Sequence, residues 1–306
     1  MADSDKPLTL FTSKLSSEQA EKLHALLKAE GFKFEPKPYT LYYATKPRLN
    51  IAVYEKGPKV VLQGKDTQEF VQFRLEPEIL GEARVGYEEV LQPEMFEPHF
   101  GIDESGKGDF FGPLVIAGVF VDQPIARTFL EAGIQDSKRI TSDARIRALS
   151  KIIKDATHNA HSVVEIPPAK YNALYDKIGN VNKLLAWGHA RVIENLATMR
   201  PDCPRALSDQ FANPSLIQRA LMENGRKLQL DQRTKAESDL AVAAASILAR
   251  ERFINWFDNT GRRFEKKLPR GANAEVKRVA REIVDAHGVT ILPELVKMHF
   301  KTSQEI

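Results

Sequence analysis

The sequence predicts an α/β protein in which a mixed sheet flanked by helices follows a smaller α+β module. Three observations lead there. Residues 101–121 read as strand, tight turn and a second, uninterrupted apolar strand. Beyond them, helical stretches alternate with short β-rich runs, as in a sheet covered by helices on both faces. The first ninety residues hold close-set β-rich runs separated by Lys-Pro-Arg and Lys-Gly-Pro turns, the pattern of an antiparallel meander. At 306 residues the chain exceeds one typical domain, so domains at 1–90 and 91–306 are expected.

In chain order, Leu8 to Phe11 is a short strand. Ser16 or Ser17 caps a helix whose Ala20, Leu23, Leu26 and Leu27 share one face, and Gly31 stops it. Thr40 to Ala44, Leu49 to Glu55 and Lys59 to Gln63 form the meander, and Thr67 to Arg74 a second amphipathic helix. A polar linker is expected around Gly81 to Glu97, with Pro93 inside it. After the hairpin come a helix near Ile125 to Ala132, the polar Asp136-Ser137-Lys138, a helix from Ser142 to Ala156, and a strand from Ser162 to Ile166. Asn180-Val-Asn182 leads into a long helix to Met199, followed by a strand at Arg205 to Asp209. A helix near Ser215 to Met222 and a strand at Lys227 to Leu230 precede Lys235-Ala-Glu237-Ser238, which opens an Ala-rich helix through Arg252.

Composition narrows the class. A hydrophobic share of 42% with 28% charged residues describes an ordinary soluble globular protein. The single cysteine, Cys203, excludes an internal disulfide and a thiolate metal cluster, and reads as a buried small residue in a reducing compartment. No run approaches eighteen apolar residues, and the opening Met-Ala-Asp-Ser-Asp-Lys-Pro lacks a signal peptide's apolar core. A cytoplasmic protein without membrane association is expected.

Net charge is only +3, so nucleic-acid binding depends on where charge is placed. From Lys33 to Lys65, seven basic residues stand against Glu35 and Glu55, interleaved with Tyr39, Tyr42, Tyr43 and Tyr54. That pattern suits a nucleic-acid platform or, equally, a structural or partner-binding domain. Arg262 to Arg281 carries eight basic residues against Glu265 and Glu275, a pattern more often found on a solvated face.

The chemistry concentrates in Gly101-Ile-Asp103-Glu104-Ser-Gly106-Lys107-Gly108. Neighbouring side chains of a strand point to opposite faces, so Asp103 can face a site directly, while Glu104 reaches it only where the chain turns. Gly106 and Gly108 permit that turn and let peptide groups approach a sugar or phosphate, and Lys107 supplies the charge a phosphate wants. Asp209 ends a predicted strand and Glu237 sits at a helix entrance, and sites in α/β sheets form where strand ends meet loops. If these four carboxylates converge, their repulsion calls for divalent cations. Oxygen-only donors select hard ions, Mg²⁺ or Mn²⁺, which in pairs can hydrolyse a phosphodiester.

The same residues carry a family resemblance. Gly101 to Val115, Asp136-Ser-Lys138, Asn180 to Ala190, Asp209-Gln-Phe, Thr234 to Ser238 and Ala243 to Arg250 stand in an order that resembles the type 2 ribonucleases H, most of all bacterial ribonuclease HIII. The resemblance implies an RNase H-like fold and endonucleolytic cleavage of RNA paired with DNA, assisted by Mg²⁺ or Mn²⁺. Asp103, Glu104, Asp209 and Glu237 would be the metal-binding catalytic carboxylates. Gly106, Lys107 and Gly108 would meet the ribose 2′-hydroxyl, with Ser137, Lys138, Asn180 and Asn182 as further substrate contacts. It also implies a TATA-binding-protein-like N-terminal domain over 1–90 that grips substrate. RNA/DNA hybrid is the expected partner; no obligate protein partner is implied, and a monomer is expected.

Relatives of the ribonuclease HII type carry Gly-Arg-Gly at the turn, a fourth aspartate and a downstream stacking tyrosine. This chain has Lys107 and Glu237, and no tyrosine after Tyr175. Phe253, Trp256 or Phe257 are the alternative candidates for that stacking surface. His189 and Trp187 read as helix packing, Ser246 as a small residue for close helix contact, and His299 as a surface histidine. A module that binds hybrids without cutting them, and a metal-dependent nuclease for another nucleic acid, are the competing functions.

Overall fold

A computed structural model of the protein describes residues 8–81 and 92–306. The chain divides into two units, Met1–Glu94 and Met95–Ile306. In the first, Ser16 and Gln19 form a reciprocal capping box that starts α1 (Ser17–Ala29), and Ala20, Leu23 and Leu27 supply its buried stripe. Strands β1 (Leu10–Lys14), β2 (Lys33–Glu35), β3 (Thr40–Lys46), β4 (Leu49–Tyr54) and β5 (Lys59–Gln63) pair antiparallel in the order β1-β5-β4-β3-β2. Leu49, Ile51, Val53, Val60 and Leu62 alternate onto the core face. The three-residue β2 is too short to show as a sequence pattern.

The helix expected at Thr67 to Arg74 is α2 (Thr67–Phe70), continued as a π-helix over Val71–Leu80. Pro77 lies within it and has no N–H to donate, a reason for the wider winding. Gly81 then ends the helix at φ 72°. The expected linker and the Met-Ala-Asp-Ser-Asp-Lys-Pro stretch fall for the most part outside the described residues.

The second unit contains β6 (His99–Ser105), β7 (Leu114–Val121), α3 (Gln123–Ala132), α4 (Asp143–Thr157), β8 (His161–Ile166), α5 (Pro168–Ile178) and α6 (Val181–Met199). These are followed by β9 (Arg205–Asp209), α7 (Ser215–Ala220), β10 (Gln229–Arg233), α8 (Leu240–Arg263), α9 (Ala274–His287) and α10 (Leu292–Leu295). Sheet order is β10-β9-β6-β7-β8, parallel from β10 to β6 and antiparallel from β6 to β8. This is the mixed sheet with helices on both faces that the sequence predicts.

β7 explains the apolar run. All eight of its residues are buried, with Val115, Ala117, Val119 and Val121 facing the α3, α4 and α8 layer and Leu114, Ile116 and Phe120 facing the α5 and α6 layer. At the sheet centre α8 lies directly on β6: a Cβ on Gly101 would come within 2.1 Å of the Ala241 carbonyl carbon. That close approach brings the start of α8 beside the end of β6. Helix α8 runs to Arg263, eleven residues past the expected Arg252, and β10 is Gln229–Arg233 rather than 227–230. Helices α5 and α9 are additional to the sequence reading; α5 opens on Pro167-Pro168, which reads as extended chain. Among the described residues no helix is long and apolar enough to cross a membrane.

Candidate active site

Strands β6 and β9 run parallel, with Ile102 opposite Ser208 at the last paired position. Asp103 and Asp209 are each the next residue, so the two carboxylates leave adjacent strands side by side, about 5 Å apart in strand spacing. Alternation puts both on the α8 face, because Gly101 touches α8, and Leu207 clusters with Ala236 and Val242. Asp209 Oδ1 accepts the Ala236 N–H at 3.1 Å, tying the end of β9 to the Ala236–Ser238 turn that carries Glu237. Lys235, at φ 60°, holds that turn in the left-handed region, and Asp239 caps α8 through the Ala241 and Val242 N–H groups. His99, fully buried, braces Asp239 at 3.1 Å from the first residue of β6.

Glu104 takes the opposite face. Its Oε2 lies 3.1 Å from His189 Nε2, and His189 Nδ1 lies 3.0 Å from the Ser208 hydroxyl. His189 projects from α6 and is 0% exposed. The sequence reading assigned it to helix packing, since a lone histidine on an apolar helix gives no sign of its partner. Here it positions a candidate catalytic acid. Asp103 and Glu104 thus sit on the two sides of one strand, joined by the Glu104 N–H donating to Asp103 Oδ1 at 2.8 Å.

The electrostatics record the crowding. Burial raises the Asp103 carboxyl well above its ordinary value, and the charges of Glu104 and Asp209 raise it further, against the Glu104 N–H and Lys138. Burial also pushes Glu104 up, but the His189 hydrogen bond and charge, with Lys107 and Lys138, bring it below its ordinary value. Burial lowers Lys138, and Asp103, Asp136, Glu237 and Asp209 together lift it above the usual lysine range. Lys138 therefore acts electrostatically on all four predicted acids. Its loop is held by α8: Ser246 Oγ accepts the Ser137 N–H at 3.1 Å, and Arg250 donates to the Ser137 carbonyl. Ser246 is thus a positioning contact for Ser137-Lys138 as well as a small packing residue.

Among the described residues no three His, Cys, Asp or Glu side chains are gathered closely enough to cage an ion. Asp103, Asp209 and the turn that carries Glu237 lie on the α8 side, and the Glu104 carboxylate lies on the opposite face, against His189.

Beyond Ser105 the chain turns through Gly106-Lys107-Gly108. Gly106 is structural: at φ +89°, a Cβ there would meet the Pro113 carbonyl at 2.3 Å and the Phe253 ring at 2.8 Å. Gly108 is exposed, and a Cβ there would meet nothing within 4 Å, so the space above it is open to a ligand. Lys107 Nζ sits 5.3 Å from the Phe211 ring centre, one strand end away. Phe253 and Phe257 are buried beneath the turn, against Gly106 and Gly112, so these two rings do not offer the exposed stacking surface considered from sequence.

The remaining sequence candidates divide. Asn180 caps α6, its Oδ1 accepting the Asn182 and Lys183 N–H groups. Asn182 is two turns before His189 and shares its helix face, about 10.5 Å along the axis. His299 is packed rather than freely exposed, stacked on Tyr175 with ring centres 4.5 Å apart. The second basic run is largely neutralised by Glu294, Glu282, Asp143, Glu305 and Glu275, as a solvated face would be. In the first, cross-strand register puts Lys14, Lys59 and Tyr54 in one row, Glu35 and Tyr43 in the next, and Lys33 in a third, all on the face away from α1. Lys37 lies 4.3 Å over the Tyr43 ring. Tyr42 points the other way, donating to the Ala20 carbonyl at 2.7 Å.

Residues 100–303 match the family model of ribonuclease HII. The chain is 42% identical to ribonuclease HIII of Chlamydia felis over 97% of both chains. Its fold is similar to the crystal structure of Bst-RNase HIII in complex with Mn²⁺, with TM-score 0.66, 25% identity and 97% of both chains covered. It is also similar to Aquifex aeolicus RNase H3, with TM-score 0.55, 27% identity, and coverage of 95% of this chain and 100% of that one. The acids that end β6 and β9 lie within the matched region, and the chain belongs to the ribonuclease HII family, where it stands with the ribonuclease HIII endoribonucleases.

Proposed function

We propose that this protein hydrolyses the RNA strand of RNA/DNA hybrids endonucleolytically, with Asp103, Glu104, Asp209 and Glu237 as its catalytic carboxylates. The observation that carries the reading is the side-by-side exit of Asp103 and Asp209 from parallel strands, with Glu237's turn bonded to Asp209. The donor set fits divalent cations: all four ligands are carboxylates, and the charges of Glu104 and Asp209 work against ionisation of Asp103. When bound, Mg²⁺ or Mn²⁺ supplies an activated water and stabilises the leaving oxygen of a phosphodiester.

The chain's own groups do the rest. Lys138, exposed and surrounded by the acids, offers a cation to a substrate phosphate; Ser246 and Arg250 set its loop through Ser137. The open space over Gly108 admits a sugar edge, and a 2′-hydroxyl contact there distinguishes RNA from DNA. Lys107, Asn180 and Asn182 extend that contact along the strand. His189 keeps Glu104 ionised and oriented.

The TATA-binding-protein-like N-terminal domain, about residues 1–90, grips the hybrid through the Lys14, Lys33, Lys37, Lys59, Tyr43 and Tyr54 face, and residues 91–306 cut it. On this reading the protein works as a cytoplasmic monomer, which the buried free thiol of Cys203 suits.

The test incubates labelled RNA/DNA hybrid, double-stranded DNA and double-stranded RNA with the protein, with and without Mg²⁺ or Mn²⁺. Cleavage confined to the RNA strand of the hybrid and dependent on metal is expected. Asp209→Asn should bind hybrid and not cut it; near-normal turnover by that variant removes Asp209 from the ligand set.

A further inference from the structure

The turn between β6 and β7 is held from outside by the last part of the chain. Phe110 donates its N–H to the Gly271 carbonyl at 2.9 Å, and the Gly271 N–H donates to Asp109 Oδ1 at 2.6 Å. The Gly112 N–H donates to the Leu295 carbonyl at 3.0 Å, and the Lys297 N–H to the Phe110 carbonyl at 2.9 Å. Phe111 and Val296 complete the contact as an isolated antiparallel bridge. Under this strap lies the side chain of Lys297, with 0% exposure. Its Nζ donates to the Gly112 carbonyl at 2.7 Å and the Asp109 carbonyl at 2.9 Å, with a longer contact to the Phe111 carbonyl at 3.5 Å.

A lysine is seldom fully buried, and then it is paired. Here its partners are main-chain carbonyls of one short loop, and the nearer pair lie on either side of Phe110-Phe111. A donor that grips a loop at two carbonyls three residues apart fixes the direction of the peptides between and beside them. The first of the gripped carbonyls belongs to Asp109, the residue that follows Gly108.

We propose that Lys297 is a positioning residue for substrate recognition: its amino group sets the conformation of the Gly106–Gly112 turn and so aims the backbone of Gly106-Lys107-Gly108 at the ribose. This rests on the reading of that turn as the hybrid contact. Lys297 itself touches neither substrate nor metal. Its loss should therefore weaken recognition of hybrid far more than it slows the chemical step.

The experiment compares the full-length protein with Lys297→Met, Lys297→Gln and Gly108→Ala, each checked for fold by circular dichroism. KM and kcat are measured on an RNA/DNA hybrid, and affinity for that hybrid is compared with affinity for a DNA duplex of the same sequence. Lys297→Met should raise KM about tenfold with kcat changed less than about threefold, and should lose preference for the hybrid. A merely structural role lowers the active fraction, and so apparent kcat, without moving KM or the preference.

Gly108→Ala places a methyl in open space without disturbing the fold, so it reports on the turn contact independently of Lys297. If Gly108→Ala loses the hybrid preference and folded Lys297→Met keeps it, Lys297 has no positioning role. If both variants keep KM and preference, the turn does not contact substrate and the proposal falls with it. Should Lys297→Met not fold, Lys297→Gln, with two donors on a shorter stem, carries the same comparison: a raised KM is expected, and an unchanged KM and preference overturn the proposal.

Discussion

Replacing His189 with phenylalanine isolates the contact that the tertiary fold gives Glu104. Phenylalanine keeps a ring of similar size between α6 and the Phe211 ring, whose centre lies 4.9 Å from that of His189, and removes both nitrogens. Two hydrogen bonds disappear: the 3.1 Å contact to the Glu104 carboxylate and the 3.0 Å contact to the Ser208 hydroxyl. A hydrogen bond to a charged group is worth about 1.5 to 3 kcal/mol, and a neutral one about 1 kcal/mol. If the Glu104 part is expressed in the transition state, kcat/KM should fall by about one to two orders of magnitude. The Ser208 part should appear as lost thermal stability of about 1 kcal/mol.

Steady-state cleavage of an RNA/DNA hybrid at fixed Mn²⁺ measures the first, and thermal melting the second. Hybrid affinity without metal should not change, because phosphate contacts come from basic groups. His189→Gln, which retains one donor toward Glu104, should recover part of the rate. A folded His189→Phe protein with kcat/KM within about twofold of wild type would show that Glu104 needs no partner on α6.

Three further outcomes are expected. Changing Lys14, Lys37 and Lys59 to glutamine should raise KM for hybrid and flatten the dependence of log affinity on log salt by about 2 to 3 in slope, measured by binding titrations from low to high salt; an unchanged slope removes the N-terminal sheet from the interface. Burial lowers the Lys297 amine to about 7 against the opposing charge of Asp109, beside His299, which burial and Lys297 also lower. Its folded value lies below its unfolded one, so between about pH 7 and 10 the unfolded chain binds the extra proton, and this group's contribution to stability rises with pH, by up to about 5 kcal/mol over the window. Melting wild type and Lys297→Met at pH 7 and 9 checks the sign, since only wild type should carry this gain. Finally, a run of several ribonucleotides paired with DNA should be cut about one to two orders of magnitude faster than a duplex holding one, because about two 2′-hydroxyl contacts are then missing; equal specificity constants would point to a group that reads the junction.

Several features were legible in the sequence because they are local. The hairpin at residues 101–121 shows as β-branched residues broken by a glycine turn, and its strands are β6 and β7. The Ser16 cap, the Gly31 stop and the alternating strands of the first ninety residues follow from backbone chemistry within a few residues. Motif order was sufficient to reach the ribonuclease HII family. Elements hidden by Pro167-Pro168, or as short as β2, were missed because no periodic pattern marks them.

Partnership across the chain was decided only by tertiary structure. That Asp103 and Asp209 leave β6 and β9 side by side depends on a parallel register between strands more than a hundred residues apart. His189 looks like any histidine of an apolar helix until α6 packs on the face where Glu104 emerges. The basic run at 262–281 reads as a solvated face from sequence, but only the fold shows which acids pair with it: Glu282, Glu294, Glu305 and Asp143. Lys297 gives no sign in the sequence of the carbonyls it satisfies, which lie more than 180 residues away. The physical reason is the same in each case. Residue type and local spacing fix backbone conformation and facing, but which charges and donors meet is set by strand register and helix packing, and these are properties of the whole core.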